Sequence, residues 1–156
     1  VRGESGAVIV KQALPYIRLV GDSWPLPLSR AFFEYHALIR QSNRDPHSVP
    51  EVLHFEENQA LIVMEFLDQH VILRSLLIGG KRVNNLGLRL GKFIARNAFR
   101  GSDLALPIID RKADTKLFLD NHALCNITES LVFTDPYFDA ELNHHNAVID
   151  GVVAGL

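Results

Sequence analysis

Three short segments carry the residue types that phosphate and purine chemistry requires. Lys11 closes the β-branched run Val8-Ile9-Val10, and a lysine at a strand end can reach out of a sheet toward a bound anion. Glu34 lies on the helix that follows, between Phe33 and Tyr35. A carboxylate amid such packing needs a partner, and a lysine on the adjacent strand can supply it. Val63-Met64-Glu65-Phe66-Leu67 ends an apolar strand, where a main-chain carbonyl and N–H can read the edge of a purine. Each segment also has an ordinary reading: a solvated lysine, an exposed helical glutamate, an interior strand with a bulky methionine. In this order the three describe half of a nucleotide cleft.

Other candidates carry less. Of the seven histidines, His36, His47, His54, His70 and His122 are scattered, and the adjacent His144 and His145 do not face one way on a helix. No zinc-type spacing of Cys, His or carboxylates accompanies them, so no metal site is expected. Cys125, the single cysteine, reads as a small core residue and cannot form an internal disulfide. Gly79-Gly80 and the glycines at positions 3 and 6 do not match a phosphate-cradling loop.

The elements that must position these groups follow from the pattern of the 156 residues, 47% of them hydrophobic and 22% charged. Such a composition supports a packed core. A net charge of −2 gives no electrostatic footprint for nucleic acid. Apolar runs such as 60–64 fall far short of the roughly 20 residues of a membrane span, and from the single cysteine a cytoplasmic protein is expected. Residues 1–6 read as a polar turn and 7–11 as a strand. Residues 14–28, with Pro15, Pro25 and Pro27, read as a loop. Ser29 is a candidate cap for a helix over 30–41. Strands over 51–56 and 60–65 flank a turn at 57–59. Beyond Leu67 the pattern turns helical: 68–77, stopped by Gly79-Gly80, then 86–99, with Leu86, Leu90, Phe93, Ile94 and Ala98 as one buried face. Further helices are expected over 110–121 and 123–133, then a turn at 134–137 in which Pro136 keeps Asp135 out of helical angles, and a last helix from 139 or 140. The expected fold class is therefore α+β, with a mixed first part, 1–67, and a helical second part, 68–156. The only methionine is Met64 and the chain opens on Val1, so a piece of a longer protein is expected, cut at both ends.

Longer strings extend this reading. Lys11-Gln12-Ala13-Leu14-Pro15-Tyr16 and Val20-Gly21-Asp22-Ser23-Trp24-Pro25-Leu26 resemble the segment after the third strand of the 5-methylthioribose kinases. Arg30-Ala31 through Glu34, with Ala37-Leu38-Ile39-Arg40-Gln41, is similar to that family's next helix. Val63-Met64-Glu65 with Leu67 and His70 is similar to its hinge. Residues 124–129 and Leu131-Val132-Phe133-Thr134-Asp135-Pro136-Tyr137-Phe138-Asp139 resemble its helical lobe.

The resemblance implies a protein-kinase-like, two-lobed fold, here incomplete: an antiparallel-sheet small lobe with one long helix, then the first helices of the large lobe. It implies ATP-dependent phosphorylation of the 1-hydroxyl of 5-methylthioribose, with Mg²⁺ as the metal and a homodimer as the assembly. By the same resemblance Lys11 contacts the ATP phosphates and Glu34 holds it. The Glu65 carbonyl and Leu67 amide bind the adenine edge, Met64 lines the pocket behind, and the Trp24 loop lies near the cleft or against the small lobe. Phe66 stands where the family usually has an aspartate, and 84–88 matches poorly. No His-Gly-Asp string occurs in the chain, so the catalytic base, the metal ligands and most sugar-binding residues are expected outside it, and the chain alone is expected to be inactive. Alternatives are a kinase of the choline or aminoglycoside type, or a non-catalytic nucleotide-binding module.

Overall fold

The computed structural model describes residues 1–3, 6–17, 21–138, 143–144, 146–153 and 155. They form two units, Val1–Phe118 and Leu119–Leu156.

The first unit is built on a four-stranded antiparallel sheet in the order β1-β2-β6-β5, with β1 Arg2–Gly3, β2 Gly6–Gln12, β5 Val52–Glu56 and β6 Leu61–Glu65. β6 is an inner strand, and its Leu-Ile-Val-Met run suits a position flanked on both sides. Ile62, 1% exposed, sits with Ala31, Phe33 and Ala60 in the core. Residues directly opposite one another in a ladder share a face. Lys11 pairs with Ile62, and Ile62 with Phe55, so these three form one row across β2, β6 and β5.

Several expectations need correction. Residues 1–6 are more than a polar turn, because Arg2 and Gly3 pair with Ala7 and Gly6. The loop expected over 14–28 contains a second, two-stranded sheet of β3 Tyr16–Ile17 and β4 Gly21–Pro25. The prolines masked it: Pro25 stands at the strand end, and the Leu26 N–H beside it donates to the Pro15 carbonyl at 3.0 Å. Ala60 belongs to the turn rather than to the strand, with φ of 50°. Its N–H donates to the Glu57 carbonyl and its own carbonyl accepts from the Ala13 N–H.

Helix α1, Arg30–Arg44, runs one turn past the expected end. Ser29 makes no side-chain cap and already has helical angles. The preceding turn supplies acceptors instead, as the Ala31 N–H donates to Leu28 and the Phe33 N–H to Ser29. Helix α2 covers Leu73–Ile78 and starts later than expected. Asp68 and His70 close turns onto Phe66 and Leu67, and the β-branched Ile72 is extended. Helix α3 is Leu86–Arg100. Helix α4, Ile108–Phe118, begins early because the Pro107 carbonyl accepts from Asp110 and Arg111. The apolar face expected to be buried on α3 is only partly covered: Leu86 and Phe93 are half-buried, but Leu90 is 46% and Ile94 63% exposed. Periodicity marks a face fit for burial, and within this unit α3 meets α1 through polar groups instead.

The second unit opens with α5, His122–Thr128, which widens into a π-helical turn over Glu129–Thr134 and a 3₁₀ turn over Asp135–Tyr137. Asp135 takes helical angles, φ −56° and ψ −39°, despite Pro136. Asn143 Nδ2 donates to the Asp135 and Phe138 carbonyls, both at 2.6 Å. Cys125 is exposed rather than a core residue, because α5 buries none of its side chains. Helix α6 is Ala147–Val153; the start expected at 139 or 140 lies outside the described residues.

Candidate functional site

Strand alternation decides which side chains can meet. Lys11 rises from β2 on the face that carries Ile62, and α1 packs on β5 and β6. Its Nζ donates to Glu34 Oε1 at 2.6 Å. Tyr35, the next residue of α1, stacks on Phe55 with ring centroids 4.4 Å apart and planes 10° apart. The helix thus meets the sheet through an ion pair over β2 and a ring stack over β5. Lys11 and Glu34 are 54% and 34% exposed, so solvent screens their attraction and the pair adds at most about 1 kcal/mol to stability. A charge pair that stabilises so little yet fixes a lysine head group suits anion binding.

Met64 lies two residues beyond Ile62 on β6, opposite Ile9 and Val52, and therefore on the same face as Lys11. Glu65 points to the other face. Its Oε1 accepts from the Glu51 N–H at 2.9 Å, and its own N–H donates to the Glu51 carbonyl at 2.9 Å. The chain then leaves the sheet at Phe66 and Leu67. The Leu67 carbonyl accepts from His70, while its N–H has no main-chain acceptor among the described residues. Phe66 lies under the Arg2 guanidinium, 5.5 Å from the ring centroid. The structure thus joins Lys11 to Glu34, sets Met64 on their face of the sheet and puts Glu65 and Leu67 at the strand exit. Trp24 is half-buried on β4.

Sequence reading missed the far flank of α1. Asp114 of α4 accepts from Arg40 Nε at 2.5 Å and from Arg44 at 2.7 Å. Arg40 also donates to the His36 carbonyl at 3.2 Å and lies over the Phe118 ring, whose neighbour is Phe33. Asp45, the residue after α1, is 4% exposed and accepts from Ser48 at 2.8 Å and Arg96 at 2.6 Å. The Ser48 hydroxyl and the Arg96 guanidinium hold its carboxyl below the ordinary value. Burial, reinforced by Arg40, holds the His36 imidazole down, against a smaller opposite pull from Glu57. An open cavity of about 500 Å³ lies beside this cluster, lined by Ile39, Arg40, Asn43, Arg100, Leu106 and Asp110 among others. None of the five sequence-derived site residues borders it. The one available signal was the i,i+4 spacing of Arg40 and Arg44, which sets both on one helix face.

Among the described residues no three His, Cys, Asp or Glu side chains converge to hold a metal ion, and no helix is long and apolar enough to cross a membrane.

No family model matches the chain. Among curated proteins it is 45% identical to "Methylthioribose kinase" of Escherichia coli O45:K1 over 145 residues, which is 92% of this chain and 35% of that protein. It is 41% identical to "Methylthioribose kinase 1" of Oryza sativa subsp. japonica over 92% of this chain and 34% of the relative. For "Methylthioribose kinase" of Geobacillus kaustophilus the figures are 45%, 88% and 34%. The chain spans about a third of the length of these relatives. The resemblance read in its strings therefore holds across about nine-tenths of its own length: this chain is similar to the methylthioribose kinases of bacteria and of a plant.

Proposed function

We propose that the chain supplies the nucleotide-binding part of an ATP-dependent kinase of methionine salvage that phosphorylates 5-methylthioribose on its 1-hydroxyl. The observation that carries this reading is the 2.6 Å Lys11–Glu34 pair, set over a sheet whose inner strand runs out at Met64-Glu65-Phe66-Leu67. The named relatives supply the substrate class. In this reading the whole protein has a protein-kinase-like, two-lobed fold. Residues 1–67 form part of the small lobe and 68–156 part of the helical lobe.

Lys11 Nζ contacts the ATP phosphates and Glu34 keeps the ammonium group aimed at them. Phosphoryl transfer depends on such positioning and on charge neutralisation more than on covalent chemistry by the protein. The Glu65 carbonyl and the Leu67 N–H take the adenine edge, and Met64 closes the pocket behind it. Phe66 alters only a side chain there and leaves these main-chain contacts in place. Among the described residues no cluster of acidic or imidazole side chains fits the Mg²⁺ that accompanies ATP. The base that takes the sugar proton and the metal ligands belong to other parts of the full-length protein, and the chain alone does not turn over. The reading includes a homodimer working in the cytoplasm.

The test is a phosphoacceptor panel on the full-length protein with ATP. Phosphorylation of methylthioribose in preference to choline and aminoglycosides is expected. Transfer to choline with none to methylthioribose overturns the proposal.

A further inference from the structure

Glu34 can hold Lys11 only if α1 keeps its rotation and its height above the sheet. The Lys11–Glu34 pair is too exposed to fix the helix. The other flank carries a denser set of bonds. The two oxygens of Asp114 are divided between Arg40 and Arg44, one helical turn apart. Both guanidiniums and the carboxylate are three-quarters or more covered, so this clasp is far less screened than the Lys11 pair. Arg100 donates to the Arg44 carbonyl, at the C-terminal turn of α1, where carbonyls lack helical partners. Gly101 leaves room for this approach: a Cβ there would lie 2.7 Å from the Arg44 guanidinium carbon and 2.9 Å from the Asn97 carbonyl oxygen.

We infer that Asp114 is a positioning residue of the nucleotide site, which through Arg40 and Arg44 sets α1 so that Glu34 meets Lys11. The inference rests on the functional reading above for the identity of the bound phosphate, although the helix-setting role is readable without it. Asp114 touches no candidate site residue. It acts through the two arginines alone.

Two readouts on the full-length protein test it. The first is the labelling rate of Lys11 by an amine-acylating reagent, followed by mass spectrometry with Lys81 and Lys92 as internal references. Asp114→Asn is expected to raise Lys11 labelling to the level seen in Glu34→Gln while the reference lysines stay unchanged. Unchanged Lys11 labelling overturns the inference whatever the substrate proves to be. The second is a double-mutant cycle on kcat/KM for ATP. Asp114→Asn is expected to cost between about 10- and 100-fold, the scale of an ångström-sized misplacement, but less than about twofold when Glu34 is already Gln. Equal losses in both backgrounds overturn the positioning role. Should Asp114→Asn fail to fold, Arg44→Gln removes one arm of the clasp and is expected to show the same non-additivity with a smaller loss. A wild-type protein inactive on methylthioribose overturns the functional reading alone, because the labelling experiment still decides the clasp.

Discussion

On its sheet side α1 rests against an apolar strand and a ring stack, with Ile62 fully covered and Tyr35 parallel to Phe55. On its other side it meets α3 and α4 largely through arginines and aspartates, beside the Phe33–Phe118 ring contact, while Leu90 and Ile94 of α3 stay exposed. The two flanks therefore differ in kind. Burial holds the first and depends little on pH or salt. The second depends on charges that must remain paired and ionised. The residue proposed to contact phosphate stands on the first flank, and the group proposed to aim its partner stands on the second. A site assembled this way inherits the tolerance of the sheet and the sensitivity of the clasp.

Breaking the sheet flank should cost most. If the proposed activity holds, Lys11→Ala is expected to lower kcat of the full-length protein by about 10²–10³-fold, as for removal of one preorganised charge donor. Its melting temperature should remain within a few degrees, because the pair is exposed; a near-normal rate would refute the phosphate role. Ile62→Ala, at the centre of the same flank, should destabilise by about 2–5 kcal/mol in urea unfolding. A loss below about 1 kcal/mol would show that the sheet does not anchor α1.

The clasp flank is sharpened by pH. The Asp45 carboxyl is held below its ordinary value, so its contribution is fully present above the unfolded-state value and is lost as pH falls through the lower, folded one. Asp45→Asn should therefore unfold at lower denaturant than wild type at neutral pH, with the two curves converging in acid. Parallel curves down to the acid limit would remove Asp45 from the account. The smallest effect is expected on the open face of α3, where Ile94→Ser should change stability by no more than about 0.5 kcal/mol in this chain. A larger loss would mean that the face is covered.

How much of this was legible follows from the range of each signal. Lys11, Glu34 and the strand ending at Leu67 could be read because β-branching and helical spacing are local. The β3–β4 pair was missed because prolines at 15, 25 and 27 read as loop, although Pro25 needs no N–H where it stands. The helical angles of Asp135 were missed because the rule for residues preceding proline is a steric preference, which the helical turns on either side override here. Asp114 lies 74 residues from Arg40, and no periodicity links such positions.

Neighbouring residues alone were enough to read strands over 7–11, 51–56 and 60–65, the long helix after Ser29, and Lys11 and Glu34 as candidate partners, because β-branching and helical spacing are local properties. Packing set the rest: Lys11, Ile62 and Phe55 share one row under α1, and two arginines of that helix close on one aspartate of α4. Register and ion pairing are set by which distant surfaces come together. That choice belongs to the packed chain rather than to any stretch of it.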